Sequence, residues 1–253
     1  MGLTLIVGER FDPHAELIET QLERRGHAFL RFHLGDFSQR SGEYRVDNEG
    51  RETLEIRGHR IAIDDVDAVW YRRFARPECG AFVQGLWQRL SHVRWVSSPA
   101  AIRAASNKFE QRIRARQCGF SVSDIGFAPG APQRLIPSAR ELRITVFGEQ
   151  VFACRILAQE RDETRSDRHV HDWEDPESFP PHEATTIPDD LAESCRLLVR
   201  DYGLAYGAID LVVTPEGEHV FLELNPNGQW AWIEERTGLP LGRALIDVLV
   251  RAA

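Results

Sequence analysis

The chain has 253 residues, 42% of them apolar and 28% charged, and a formal net charge of −8. This is the composition of an ordinary globular protein, long enough for one large domain or two small ones. The acidic balance, with no stripe of Lys and Arg, argues against a nucleic-acid partner, and no window approaches the ~18 consecutive apolar residues that a membrane span requires.

The opening MGLTLIVGERFDPH has no basic leader and reads as a first core strand, residues 3–7, rather than a signal peptide. A helix is predicted from Pro13 to Arg25, closed by Gly26, and a second strand over 28–33, so the chain opens β-α-β. Residues 42–63 alternate polar and apolar around Gly50 and Gly58, the pattern of small antiparallel strands. A strand at 67–72 and a helix at 78–90 complete an α/β domain over 1–97.

The second domain, 98–253, starts with helices at 99–105 and 107–118, followed by a Pro- and Gly-containing link to about Ala139. A hairpin is predicted from Glu141–Phe147 and Gln150–Leu157, turning at Gly148-Glu149. The polar stretch from Gln159 to about Thr186 reads as a long functional loop. Within it His169 and His171 are read as loop residues rather than metal ligands. A helix over 188–202, a hairpin of 206–213 with 219–224, and a helix over 239–251 end the chain. Four cysteines, Cys79, Cys118, Cys154 and Cys195, form no CxxC pair and read as free thiols of a cytoplasmic protein.

Chemistry concentrates in the last hairpin. With Glu216-Gly217 as a two-residue turn, Ile209 faces Leu224 and Leu211 faces Leu222, an apolar face for the core. On the other face Asp210 meets Glu223 and Ala208 meets Asn225. Two opposed carboxylates need a compensating cation or a proton, and an oxygen-only donor set suits Mg²⁺. The alternative is a solvated acidic face.

Two cations stand apart from the background. Lys108 is the one Lys among 31 basic residues, and Arg143 lies mid-strand between Leu142 and Ile144. An Arg on a strand often pairs with a neighbouring acid such as Glu141 or Glu149. Together with the acidic pair, these cations make a consistent polyphosphate site. No GxxxxGK[ST] or GxGxxG loop occurs, and no nucleophile arrangement is evident.

The stretches VWYRR (69–73), WVSSPAAIRAASNKFEQ (95–111), ELRITVFGEQVFA (141–153), YGAIDLVV (206–213) and FLELNPNGQWAWIEERTGLPL (221–241) resemble, in order, the ATP-grasp ligases that mature microviridin-type (graspetide) precursor peptides. The resemblance implies an α/β fold, of the α+β ATP-grasp kind. A small pre-ATP-grasp domain would precede an ATP-grasp domain with an antiparallel sheet and flanking helices. It implies ATP and Mg²⁺, with Asp210, Glu223 and Asn225 as metal donors and Arg143 against the phosphates and the acyl-phosphate transition state. Lys108 would line the nucleotide site, and Gln133, Leu135 and Ile136 would flank adenine. The implied partner is a ribosomal precursor peptide whose Asp or Glu side chains become ω-esters or ω-amides.

One departure is plain: only Gly119–Ala139 joins the SNK helix to the ELR strand, where the family carries a central subdomain with a second Lys. The sequence therefore leaves open a non-catalytic module that binds a precursor or pairs with a full-length ligase. It also leaves open a homodimer and an amino-acid ligase of the glutathione-synthetase-like type.

Overall fold

The computed structural model describes residues 2–33, 36, 42–72, 80–122, 140–156 and 181–250, and the statements below concern these. By internal contacts the chain forms two compact units, 1–102 with 203–205 and 242–253, and 103–202 with 206–241.

The first unit is built on a parallel sheet in the order β2-β1-β6-β7, from β1 (Leu3–Val7), β2 (Phe29–Phe32), β6 (Val66–Tyr71) and β7 (Arg94–Val96). Leu5, Ile6 and Val7 are fully buried, as expected of a strand without polar alternation in a parallel sheet. Helix α1 (Pro13–Arg24) connects β1 to β2. It begins at Asp12, whose side chain accepts from His14 N, with Pro13 at the first helical position, and Gly26 follows its end at φ +63°.

The alternating segment forms a separate antiparallel sheet of β3 (Gly42–Val46), β4 (Glu52–Ile56) and β5 (His59–Ala62). Leu54 and Ile56 of β4 join Leu5, Val7, Phe32 and Val69 in one core with Leu86 and Leu90, of which Leu86 lies on α2 (Gly80–Arg89). Below the sheet edge Arg72 donates to Asp12 through Nε at 2.8 Å and Nη2 at 3.2 Å, and both residues are buried. The helix cap and the end of β6 are thus fastened by one charge-assisted pair.

Two helices, α3 (Pro99–Ala105) and α4 (Lys108–Gln117), lead into the second unit, the latter capped by Asn107. Its sheet runs β11-β10-β9-β12-β13-β8, formed from β8 (Ser121–Val122), β9 (Arg140–Phe147), β10 (Gln150–Ile156), β11 (His182–Thr185), β12 (Tyr206–Val213) and β13 (His219–Asn225). All pairs are antiparallel except β13 with β8. The helices α5 (Asp189–Asp201), α6 (Ala231–Thr237) and α7 (Leu241–Leu249) complete the chain.

Every predicted element is present within a few residues, and the β9–β10 turn is the two-residue Gly148-Glu149 expected, with Gly148 at φ +56°. Among the described residues, β7, β8, β11, α6 and a short 3-10 turn at Ile63–Asp65 were not anticipated. The first two are three residues or fewer. Strand β11 lies inside the stretch read as a loop, and its HEAT sequence is held to β10 by ladder bonds and an Arg155–Glu183 pair.

Candidate active site

Three neighbouring strands place one charged residue each in a single row. Arg143 on β9 is opposite Asp210 on β12, which is opposite Glu223 on β13. The next row holds Thr145, Ala208 and Asn225. The opposition of Asp210 to Glu223, expected from the sequence, is present, but the ladder reaches it by another route. The turn has three residues, Pro215-Glu216-Gly217, because Thr214 N donates to Glu218 O and Gly217 N to Thr214 O, with Gly217 at φ +89°. Val213 therefore faces His219, and Leu211 faces Phe221 rather than Leu222. A bulge at Leu222 then restores the expected register from Asp210 onward. Phe221, expected on the polar face, is fully buried against Phe120, while Leu222 is only half-buried.

The cations that the two carboxylates require are protein side chains. Arg143 Nη1 lies 2.6 Å from both oxygens of Asp210, so the bland partners Glu141 and Glu149 are not the ones used. Lys108 Nζ, from the first turn of α4, donates to Glu223 Oε2 at 2.6 Å. The two pairs differ in setting. The Arg143 and Asp210 side chains are 12% and 26% exposed, against 54% and 39% for Lys108 and Glu223. An exposed pair of the latter kind contributes ~0–1 kcal/mol and is readily exchanged for another partner.

Burial pushes the Asp210 carboxyl above the usual carboxylate range, opposed by Arg143 and reinforced by Glu223. Burial alone would lower the pKa of Arg143, but Asp210, Tyr206 and Glu223 together more than offset it and the net shift is upward. Arg143 Nε is buried with no hydrogen-bond partner among the described residues.

The surroundings fix this row. Gln111, one turn after Lys108, is buried and spans α4 and β13: its Nε2 donates to Leu224 O at 2.6 Å and its Oε1 accepts from Leu224 N at 2.9 Å. Strand β8 pairs with β13 only at Val220 and Phe221, so the Gln111 amide continues the ladder where that strand has ended. The NPNGQW turn folds over the row. A Cβ on Gly228 would lie 2.6 Å from Ala208 Cβ and 3.1 Å from Arg143 Nη2, so only glycine fits. Tyr206 Oη donates to Gly228 O, and Trp230 is fully buried edge-on to Phe147. Gln111, Tyr206 and Gly228 were missed as site supports. Gln111 stands three residues after Lys108 in SNKFEQ, a spacing that shares one helix face.

Of the anticipated residues, Lys108, Arg143, Asp210, Glu223 and Asn225 come together on one sheet face and the adjoining helix. Gln133, Leu135 and Ile136, like His169 and His171, lie outside the described residues. No cluster of three or more His, Cys, Asp or Glu exists among the described residues. The donor set available to a cation is two carboxylates and the Asn225 amide, all hard oxygen ligands, and one carboxylate carries an exchangeable Lys partner. That chemistry fits Mg²⁺. Cys154, opposite Arg143 on β10, is buried and its thiol is pushed up by burial to about 11, so it offers no soft ligand.

Residues 5–93 match the MvdD pre-ATP grasp domain. Over its whole length the chain is similar to the macrocyclase MdnB from Microcystis aeruginosa MRC, at 25% identity, TM-score 0.79 and 100% coverage of both chains. It also shares the fold of macrocyclase MdnC from the same organism, bound with precursor peptide MdnA, at 22% identity, TM-score 0.74 and 100% coverage of both chains. A Chryseobacterium gregarium RiPP-associated ATP-grasp ligase, in complex with ADP and a leader and core peptide, aligns at 20% identity and TM-score 0.75, covering 98% of this chain and 96% of that one. A search of curated proteins gives no match. No helix among the described residues is long and apolar enough to cross a membrane.

Proposed function

We propose, from the premise that the chain is an ATP-grasp ligase of the graspetide type, that it activates Asp or Glu side chains of a ribosomal precursor peptide and closes them into ω-ester or ω-amide rings. The observation that carries the reading is the Arg143–Asp210–Glu223 row with Lys108 at its end. Asp210, Glu223 and Asn225 would hold Mg²⁺, which supplies charge neutralisation for the phosphates of ATP.

In the chemistry proposed, a peptide carboxylate oxygen attacks the γ-phosphorus of ATP and ADP leaves. A peptide hydroxyl or amine then attacks the acyl carbon, losing its proton as inorganic phosphate departs. The chain's own part is charge placement. Arg143, largely buried and carrying an unpartnered Nε, presents a fixed guanidinium where phosphoryl charge develops. With Glu223 among the residues that would hold Mg²⁺, Lys108 would be released to donate to a phosphate oxygen. The exchange is cheap because the pair is half exposed. The Gly228 turn lies close against Arg143 and Ala208 at one end of the row.

The test is incubation of the purified chain with Mg-ATP and a Thr-, Ser-, Asp- and Glu-rich peptide encoded beside it. ADP release coupled to loss of one water per ring is expected. Peptide capture without ADP would favour the non-catalytic module, and products gaining an amino acid would favour the glutathione-synthetase-like alternative.

A further inference from the structure

The turn that follows β13 begins at Asn225, the amide of the donor set. Gly228 N donates back to Asn225 O at 3.3 Å, and Asn227 N donates to Asn225 Oδ1 at 3.4 Å. The second bond ties the side-chain amide to the backbone of its own turn and leaves the other lone pair of Oδ1 for a ligand. The aim of Asn225 is therefore as firm as the position of the turn, and no firmer.

Arg143 and Tyr206 hold that turn from the sheet. Arg143 Nη2 reaches Gln229 O only at 3.5 Å, a marginal bond. Tyr206 Oη donates to Gly228 O in a short, buried bond. Tyr206 opens β12 and, at alternate spacing, lies on the same face as Ala208 and Asp210. Its ring stacks on Phe147, with centroids 4.7 Å and planes 16° apart, and Phe147 in turn meets Trp230 edge-on at 5.9 Å. Packing thus fixes the ring, and the ring delivers its hydroxyl to the turn. A Cβ on Gly228 would lie 3.3 Å from that hydroxyl as well as against Ala208, so the contact is made to bare backbone. Gly228 is buried, so losing the donor leaves a carbonyl that water reaches only if the turn opens.

We infer that Tyr206 is a positioning residue for the metal: through Gly228 O it holds the turn that keeps the Asn225 amide on the face of Asp210 and Glu223. This rests on the reading of those three residues as Mg²⁺ ligands. Hydrogen bonds that orient a ligating group from outside typically carry about 10–100-fold of metal affinity.

Titration calorimetry with ADP on the full chain tests it, once with Mg²⁺ and once with EDTA in its place. Tyr206→Phe keeps the ring and removes only the hydroxyl. The gain in ADP affinity brought by Mg²⁺ should fall about tenfold or more in this variant. Its metal-free affinity should stay within about twofold of the parent's, because Arg143 and Lys108 keep their charges and their places. Without ligand, hydrogen exchange over residues 225–230 should be faster in the variant than in the parent. Ile209→Val, on the core face of β12 where Ile209 is fully buried, loosens the same strand without touching the turn and should change neither quantity. An undiminished Mg²⁺ gain in Tyr206→Phe, an equal fall in Ile209→Val, or unchanged exchange over 225–230 would each overturn the inference. A parent that gains nothing from Mg²⁺ would overturn the metal reading and this inference together. A parent that gains, with Tyr206→Phe gaining equally, sinks the inference alone.

Discussion

Glu223 is the residue on which the nucleotide reading is most exposed to test. It is half exposed, its partner is a flexible Lys, and nothing in the core leans on its charge. Glu223→Gln should therefore leave the unfolding free energy of the ligand-free chain within about 1 kcal/mol of the parent. Mg-ATP at a hundred times its Kd should raise the parent's stability by ~2.7 kcal/mol, by mass action. The variant should show almost none of this, and thermal melts with and without Mg-ATP check it. An undiminished shift in the variant would remove Glu223 from the site. The opposition of Asp210 to Glu223 was anticipated, but from a two-residue turn that the strands do not have: a three-residue turn and the bulge at Leu222 offset each other, and neither could be read from local turn rules. The identity of their cations was not legible either. Arg143 is 67 residues from Asp210 and Lys108 is 115 from Glu223, distances at which only the folded sheet decides who meets whom.

At the scale of elements, α4 and β13 are joined through the Gln111 amide rather than through apolar contact alone. Replacing Gln111 with Leu keeps the volume and strands a buried N–H and C=O of Leu224. The expected loss is ~2–3 kcal/mol in urea unfolding, with Mg-ATP affinity falling as Glu223 loses its fixed position. Element order was readable from periodicity and from Gly and Pro punctuation: α1 with Pro13 and Gly26, and the Gly148-Glu149 hairpin, stand where they were expected. Short strands defeated the same reasoning. Ser121–Val122 has no room for a period, and β11 is a polar edge strand whose ladder partner alone makes it one.

At the scale of the molecule, the first unit depends on a buried pair. Burial opposes the charge of Asp12, but His14 and Arg72 outweigh it and hold its carboxyl far below the usual carboxylate range. A folded-state pKa below the unfolded one gives stability that is present above the unfolded value and lost as pH falls through the folded one. Asp12→Asn should thus cost ~3 kcal/mol at pH 7 by leaving Arg72 buried and unpaired. The gap between parent and variant should narrow steadily below about pH 4. Urea midpoints across that range check both the size and the sign. The α/β character of residues 1–97 was legible from its strand–helix alternation. The return of residues 203–205 and 242–253 to the first unit was not, because a terminal amphipathic helix does not state which core receives it.

The bulge at Leu222 makes β13 one residue longer than the stretch of β12 it pairs with. In the vocabulary of insertions and deletions, Leu222 is a residue the ladder does not count. A chain lacking it still sets Leu211 against Phe221 and Asp210 against Glu223, now as consecutive rungs. Excising Leu222 should keep Mg-ATP binding within about tenfold, whereas excising Leu224 one turn of the pleat later should abolish it by swinging Asn225 to the wrong face. A deletion scan along 219–225 read by nucleotide binding would show a single tolerated gap. Lengths at the turn and at the bulge can then drift separately among related chains while the two carboxylates stay opposed.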